Sequence, residues 1–378
     1  MRILLVGEYS RLHNSLKEGL EKLGCEVVII GNGDGFKKYP VDHYFDHSFK
    51  NILLHKLKVL VYKITSFDLG SLEIYLKLKS KKTVLKNFDV VQLINESPMK
   101  MTPNFEKHFI KFLKKNNKKL YLLSCGLDYV CVKYMMEGKF RYSILSAYLD
   151  DPSQNENLKP YLRYLKPEHK KLHKYIYKSI NGVIASDMDY HIPLDGHPKY
   201  LGLIPNPINC DNIEFQPLVI QQKIKILHGI NTKAVAKKGN QYFIDALKII
   251  EQKYPDLVEI TTTHDLPYKD YIKHLRHCHI LLDQVLGYDQ GYNALEAMAM
   301  GKVVLTGAEK EFETYYKLKA PVAINVLPEV SQIVNALSDL IEHPQKIITI
   351  GKAAREFIEK EHHYITSAKR YLETWQNN

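Results

Sequence analysis

The residues best suited to chemistry lie in 283–307, DQVLGYDQGYNALEAMAMGKVVLTG. An apolar strand expected over 280–284 runs into a loop with Gly287 and Gly291, and a short helix is expected over 292–300. Gly301 stops that helix, and a second apolar strand begins at Val303. Strand, loop, helix, glycine and strand make half of a doubly wound nucleotide-binding sheet. Such a loop puts Gly291 and the amides of Tyr292 and Asn293 at a helix N-terminus, where unpaired N–H groups and the helix dipole favour a phosphate. Glu296 lies one turn further in and can reach two hydroxyls of a ribose, or serve as a buried structural acid. The basic loop NTKAVAKKG at 231–239 adds Lys233, Lys237 and Lys238 after a strand that ends at Gly229. Ammonium groups on one side and a helix end on the other suit a nucleoside diphosphate, with no metal or other cofactor required. A competing carboxylate pair at this edge would have to be Asp283 with Asp289. Tyr288 and Tyr292 flank the loop and suit stacking on base or sugar, or a place in the core.

The elements that must position these residues alternate along the chain. In 1–206, apolar strands are expected over 2–6, 25–31, 88–95, 119–124 and 182–186. Helices are expected over 13–23, where Leu16, Leu20 and Leu23 recur at helical spacing, and over 105–116. YLGLIPNP at 200–207 sets two prolines around Asn206 and marks a domain junction. The second domain, 207–360, restarts the alternation with strands at 223–229, 258–263, 280–284, 303 onward and 322–326, and helices at 240–253, 268–277, 329–342 and 345–360. Strands joined by helical crossovers lie parallel, so ligands belong at their carboxyl ends. That rule gathers 229–239, 264–267 and 287–296, facing the matching edge of the first domain across a cleft. On that first edge stand the turn of Gly7, Glu8 and Ser10, and Asp128, which is either an acceptor-side acid or a helix N-cap. GNGDG at 31–35 follows the second strand and reads as turn glycines, and Asp187-Met188-Asp189 reads as a cap.

A chain of 378 residues with 45% hydrophobic content fills two cores. It has no apolar run near the roughly 18 residues of a membrane span, and its amino terminus lacks the longer apolar stretch of a signal peptide. Five scattered cysteines without CxxC spacing point to a reducing compartment. The net charge is +11, and 50–119 alone holds sixteen Lys, no Arg and five acids, a balance equal to the whole excess. Its lysines alternate with apolar residues, as in FKNILLHKLKVLVYKI, and suit an anionic lipid surface or polyanionic acceptor better than a base-reading interface. The expected place is cytoplasmic, peripheral on the inner face of the membrane, with no nucleic-acid partner.

YDQGYNALEAMAMGKVVLTG resembles the EGFGLxxLEAMAxGxPVI loop of the retaining GT-B glycosyltransferases of family 4, and GEYSRLHNSLKEGL resembles their bacterial surface-polysaccharide members. HG…KKG at 228–239, IPNPIN and the terminal EKEHHYITSAKRYL fit the same family. The resemblance implies two facing Rossmann-like domains, with a last helix, about 361–376, crossing back onto the first. It implies sugar transfer from a nucleoside-diphosphate sugar to a glycan or lipid-linked acceptor, with retention. It makes Glu296 the ribose ligand, Lys238 the diphosphate ligand and Lys233 the counterpart of the family's Arg, with His13 the candidate for a first-domain histidine. The family's first motif Glu falls on Tyr288, with Asp289 next door. Two other readings share this architecture: a nucleotide-sugar epimerase, and a non-catalytic nucleotide-sugar-binding protein.

Overall fold

The computed structural model of the chain describes every residue except Gln154, Lys233 and Ala234, and the side chain of Phe36. The chain divides into two compact units. The first comprises Met1–Tyr134, Asn157–Pro207 and Tyr364–Asn378; the second comprises Met135–Glu156 and Ile208–His363. Residues 135–156 therefore join the second unit, although sequence order places them inside the first half.

The first unit is built on seven strands: β1 (Arg2–Val6), β2 (Glu26–Gly31), β3 (His43–Tyr44), β4 (Val90–Leu93), β5 (Lys119–Ser124), β6 (Gly182–Ala185) and β7 (Tyr200–Leu203). They pair in the order β3-β2-β1-β4-β5-β6-β7, all parallel. β1, β4, β5 and β6 are almost wholly buried apolar runs, as strands covered by helices on both faces must be. The chain winds outward from β1 to β3 and then returns to β4 on the other side of β1. Loops leaving β1 and β4 thus diverge, which opens a crevice at their carboxyl ends.

Helix Tyr364–Asn377 closes this unit against helix Leu12–Lys22. The approach is so close that a Cβ on Gly19 would stand 2.4 Å from the Tyr364 carbonyl oxygen. Buried Trp375 anchors the end of the helix, its carbonyl accepting from Lys119 Nζ at 2.8 Å and from Tyr121 OH at 3.0 Å.

The second unit carries β8 (Ile224–Ile230), β9 (Val258–His264), β10 (Ile280–Leu282), β11 (Val303–Thr306) and β12 (Ile324–Asn325). Their order is β12-β11-β10-β8-β9, again all parallel, around a core that includes Ile226, Phe243, Leu282, Leu305 and Leu337. Here the winding reverses between β8 and β10.

Three local expectations change. Residues 231–239 are not all loop, because Val235–Lys238 forms a helical turn. The apolar stretch before the prolines is an edge strand, β7. A helix, Lys310–Tyr316, follows β11 and turns Phe312 and Tyr316 inward. Each is shorter than the roughly 11 residues over which apolar periodicity becomes readable.

Candidate functional site

The reversal between β8 and β10 collects the polar groups of the second unit. β8 ends in His228 and Gly229. Gly229 has no room for a side chain, since a Cβ there would lie 2.6 Å from the Tyr271 ring. His228 is buried with both ring nitrogens unpartnered, and burial, with Lys238 and His264 adding, pushes its pKa down to about 4. It is therefore a neutral imidazole, its ring edge-on to Phe243 at 5.5 Å.

The KKG turn has a mechanical reason. Gly239 takes φ +68°, and a Cβ there would meet Val285 Cγ2 at 2.3 Å. Only glycine fits, and the Val285 N–H donates to the Lys238 carbonyl at 3.0 Å, locking the turn against the end of β10. This leaves Lys237 exposed and turns Lys238 inward, where Nζ meets Asp283 Oδ1 at 2.7 Å. Asn293 Nδ2 donates to the same oxygen at 2.8 Å. Asp283 Oδ2 is buried and unpartnered, and a Cβ on Gly291 would lie 4.0 Å from it. That oxygen thus lies beside the first turn of helix Tyr292–Ala299, whose N-cap, Gly291, has no side chain with which to cap. One buried carboxylate sits where a cation and a positive helix end converge. Burial and the Asp283 charge push the Tyr271 hydroxyl pKa upward, so Tyr271 is a neutral phenol beside this cluster.

Glu296 is half-buried and its Oε2 accepts from the Tyr268 hydroxyl at 3.1 Å. Tyr292 is half-buried on the same first turn. Asp289 is buried, with Oδ1 accepting the Gln290 N–H at 2.7 Å. Lys233 lies outside the described residues. Among the described residues no group of three or more His, Cys, Asp or Glu is placed to hold a metal ion.

Tyr288 is turned away from this cluster. It is buried, packed on Phe140 at 5.0 Å and Tyr142 at 5.3 Å, with the Arg141 guanidinium 4.8 Å above its ring. Its hydroxyl accepts the Arg141 N–H at 2.8 Å. Arg141 also bridges Glu309 at 2.7 Å and Glu311 at 2.6 Å, and the Tyr142 hydroxyl donates to Glu309. Sequence reading missed this knot. The stretch FRYS carries no periodicity, and its partners lie some 170 residues away.

At the reversal between β1 and β4 the first unit buries Glu8, while Lys37 and Lys100 pair with Asp34 at 2.8 and 3.4 Å. Gly7 takes φ +87°, and a Cβ would strike Ile94 Cγ2 at 2.3 Å. Ser10 and Arg11 follow in left-handed backbone, at φ +51° and +73°. Asp34 braces the turn by accepting the Ser10 N–H at 3.1 Å. Helix Leu12–Lys22 then begins, and Glu8 Oε2 accepts from Asn14 through its N–H at 2.9 Å and its Nδ2 at 2.6 Å. His13 is fully buried: Nδ1–H donates to the Gly7 carbonyl at 2.7 Å, and Nε2 accepts from Gln92 Nε2 at 3.3 Å. Burial pushes its pKa down to about 4, so His13 is a neutral tie between loop and sheet with both nitrogens engaged. Asp128 is buried and caps helix Tyr129–Met136, accepting from the Cys131 N–H at 2.8 Å and from the Ser124 hydroxyl. Burial raises its pKa, as it does that of buried Glu96. Glu96, unremarked in the sequence, holds His173 Nδ1 at 2.6 Å between the rings of Tyr129 and Tyr177.

Residues 227–373 match the sequence model of a family described as glycosyl transferase-like. No curated protein matches the chain. Among solved structures, the chain is similar over 100% of both chains to Anabaena HepE in complex with UDP and glucose, at TM-score 0.60 and 15% identity. Sucrose-phosphate synthase from Thermosynechococcus elongatus superposes at TM-score 0.61 and 13% identity, over 100% of this chain and 98% of that one. A putative UDP-N-acetylglucosamine 2-epimerase from Listeria monocytogenes superposes at TM-score 0.55 and 12% identity, over 100% and 95%. At such identities the likeness is one of fold.

Proposed function

We propose that the chain, which has the GT-B fold, is a glycosyltransferase whose second unit holds a nucleoside-diphosphate sugar, the sugar of which passes to a hydroxyl of a glycan or lipid-linked acceptor. The observation that carries this reading is the inward-turned Lys238, 2.7 Å from Asp283, beside the N-terminus of helix Tyr292–Ala299. Cation, amide donors and helix dipole converge on one anion-sized place, which a diphosphate oxygen would take over from the carboxylate. Glu296 then receives the ribose hydroxyls, with Tyr268 steadying its carboxylate. Lys237, Gly229, Tyr292 and Asn293 border the same donor site, and Asp289, next to the position of the family's first motif Glu, is the candidate to read the sugar.

As the bond from the anomeric carbon to the diphosphate oxygen breaks, negative charge grows on the leaving group, and Lys238 with the helix end stabilises it. The acceptor oxygen forms the new bond, and its proton passes to the departing diphosphate. Lys238 and the helix end take the role of charge stabilisation in this transfer. Transfer occurs with retention in this reading, on the likeness of ALEAMAMGK to the retaining family.

We also place the protein in bacterial surface-polysaccharide synthesis on the inner face of the cell membrane. Helix Ile52–Thr65 supports this, since it buries none of its residues. Leu53, Leu57, Leu60 and Ile64 recur on one exposed face, with Lys56 and Lys63 in the same helix. Such a face suits an anionic lipid interface. Among the described residues no helix is long and apolar enough to cross a membrane.

Calorimetry with UDP, GDP and ADP tests the donor site: one nucleotide is expected to bind, and Glu296→Ala to weaken it. Absence of binding by all three, unchanged in the variant, would sink the reading. Product analysis then separates transfer or hydrolysis of a donor sugar from its reversible epimerisation.

A further inference from the structure

Among the described residues of the first unit, Glu8 and Glu106 each bury a carboxylate oxygen without a hydrogen-bond partner; Glu106 ties Ser97, Met99 and Met101 through its other oxygen, whereas Glu8 stands at a strand's carboxyl end. Glu8 follows β1 at the sheet reversal and is 1% exposed. Its Oε2 caps the first turn of helix Leu12–Lys22 through Asn14. A cap of this kind needs one acceptor oxygen, which Ser, Asn or Gln supplies without burying a charge. Oε1 has no hydrogen-bond partner and is itself buried. An orphaned carboxylate oxygen is costly, so a built-in one calls for an explanation outside the fold. The turn around it is strained as well, with consecutive non-glycine residues Ser10 and Arg11 at positive φ, a condition that concentrates at ligand sites.

We propose that Glu8 Oε1 is a sugar-hydroxyl site: a hydroxyl of a sugar substrate donates to it, and the ionised carboxylate thereby fixes that sugar at the carboxyl edge of the first sheet. This rests on the glycosyl-transfer reading, and it adds a recognition residue on the unit that does not carry the nucleotide.

The electrostatics agree. Burial pushes the Glu8 carboxyl up to about 7, with Asn14 opposing and the Asp34 charge adding. The titratable groups facing it are Asp34 from the turn after β2 and Cys125 from the end of β5; His13 on the following helix is neutral. Near neutral pH the group is divided between acid and carboxylate, and a hydroxyl donor draws it to the carboxylate. The raised pKa also fixes a sign for stability. The folded state prefers the proton, so stability is full below 4.5 and is lost as pH rises through about 7. Removing the charge with Glu8→Gln relieves that loss.

The test compares wild type with Glu8→Gln in the full chain, using the nucleoside-diphosphate sugar selected by thermal shift and octyl glucoside as the probe acceptor. Nucleotide binding by calorimetry is expected to be equal in both, and the melting temperature of the variant at pH 8 equal or higher. Transfer is expected to fall about ten- to a hundredfold, the range for a hydrogen bond to a charged group. The acid limb of the wild-type rate near pH 7 should vanish in the variant. A loss confined to the KM for octyl glucoside assigns the hydroxyl to the acceptor, and one confined to the KM for the donor assigns it to the donor sugar. Wild-type transfer rates in Glu8→Gln overturn the proposal, as does a lost rate accompanied by a lower melting temperature at pH 8. A wild type that binds no nucleotide instead overturns the glycosyl-transfer reading on which it stands.

Discussion

The two sheets reverse their winding in the same way, and each furnishes its own crevice with different chemistry. In the second unit, the crevice between β8 and β10 gathers a lysine, a helix N-terminus and one counter-anion, Asp283. In the first, Glu8 follows β1, Glu96 follows β4 and Asp128 follows β5, all three buried. The contrast follows from what each place can hold. A cationic crevice suits a diphosphate, whereas buried carboxylates suit hydroxyl groups, which donate to them. Identical topology thus supplies only the opening, and the side chains at the strand ends choose the ligand.

That contrast can be broken most directly at Lys238. Lys238→Ala removes the cation and leaves Asp283 a buried carboxylate with Asn293 as partner. Nucleotide affinity is expected to fall about a hundredfold or more by calorimetry, since charge-assisted contacts are the strong ones. An unchanged affinity would remove the cationic crevice from the account.

A feature the two crevices share provides the next test. Each contains a buried histidine, His13 or His228, with a pKa pushed down to about 4 by burial. A histidine depressed in the folded state contributes stability that is present above its unfolded value of 6.5 and is lost as pH falls through about 4. Each should cost about 3 kcal/mol between these limits, measured as denaturant stability against pH. His13→Asn and His228→Asn should each remove part of that slope.

Smaller effects separate scaffold from site within the second unit. Arg141→Ala should cost about 1–3 kcal/mol in denaturant stability, because Glu309 is left buried without its cation, while nucleotide affinity stays unchanged. A loss of affinity at full stability would move Tyr288 and Arg141 from the scaffold into the donor site. The smallest effect belongs to the exposed helix. Leu53→Glu with Leu60→Glu should weaken sedimentation with anionic vesicles about tenfold and leave stability within about 0.5 kcal/mol, as exposed substitutions generally do.

Much of the second crevice was legible in the sequence, because its signals are local. Gly239, Gly291 and Gly301 punctuate turns, and Lys238 and Glu296 stand at fixed offsets from them. Much of the first crevice was not. Glu96 and His173 come together across 77 residues, and nothing in the spacing of a lone glutamate such as Glu8 separates a cap from a ligand. Tyr288 shows the same limit from the other side. Its place in the motif suggested the sugar, whereas its ring is committed to Phe140, Arg141 and Tyr142 from a segment that sequence order places in the other half.

By itself, the sequence determined the alternation of buried strands and helices, the parallel sheets that follow from it, and the two strand–loop–helix segments that carry Lys238 and Glu296. Apolar periodicity and glycine punctuation act within a dozen residues, so one chain segment contains them whole. Only the tertiary structure decided which unit claims 135–156, which carboxylates lose their water, and which oxygens are left without a partner. Those outcomes depend on desolvation and on contacts between distant segments, and both arise when the sheets close.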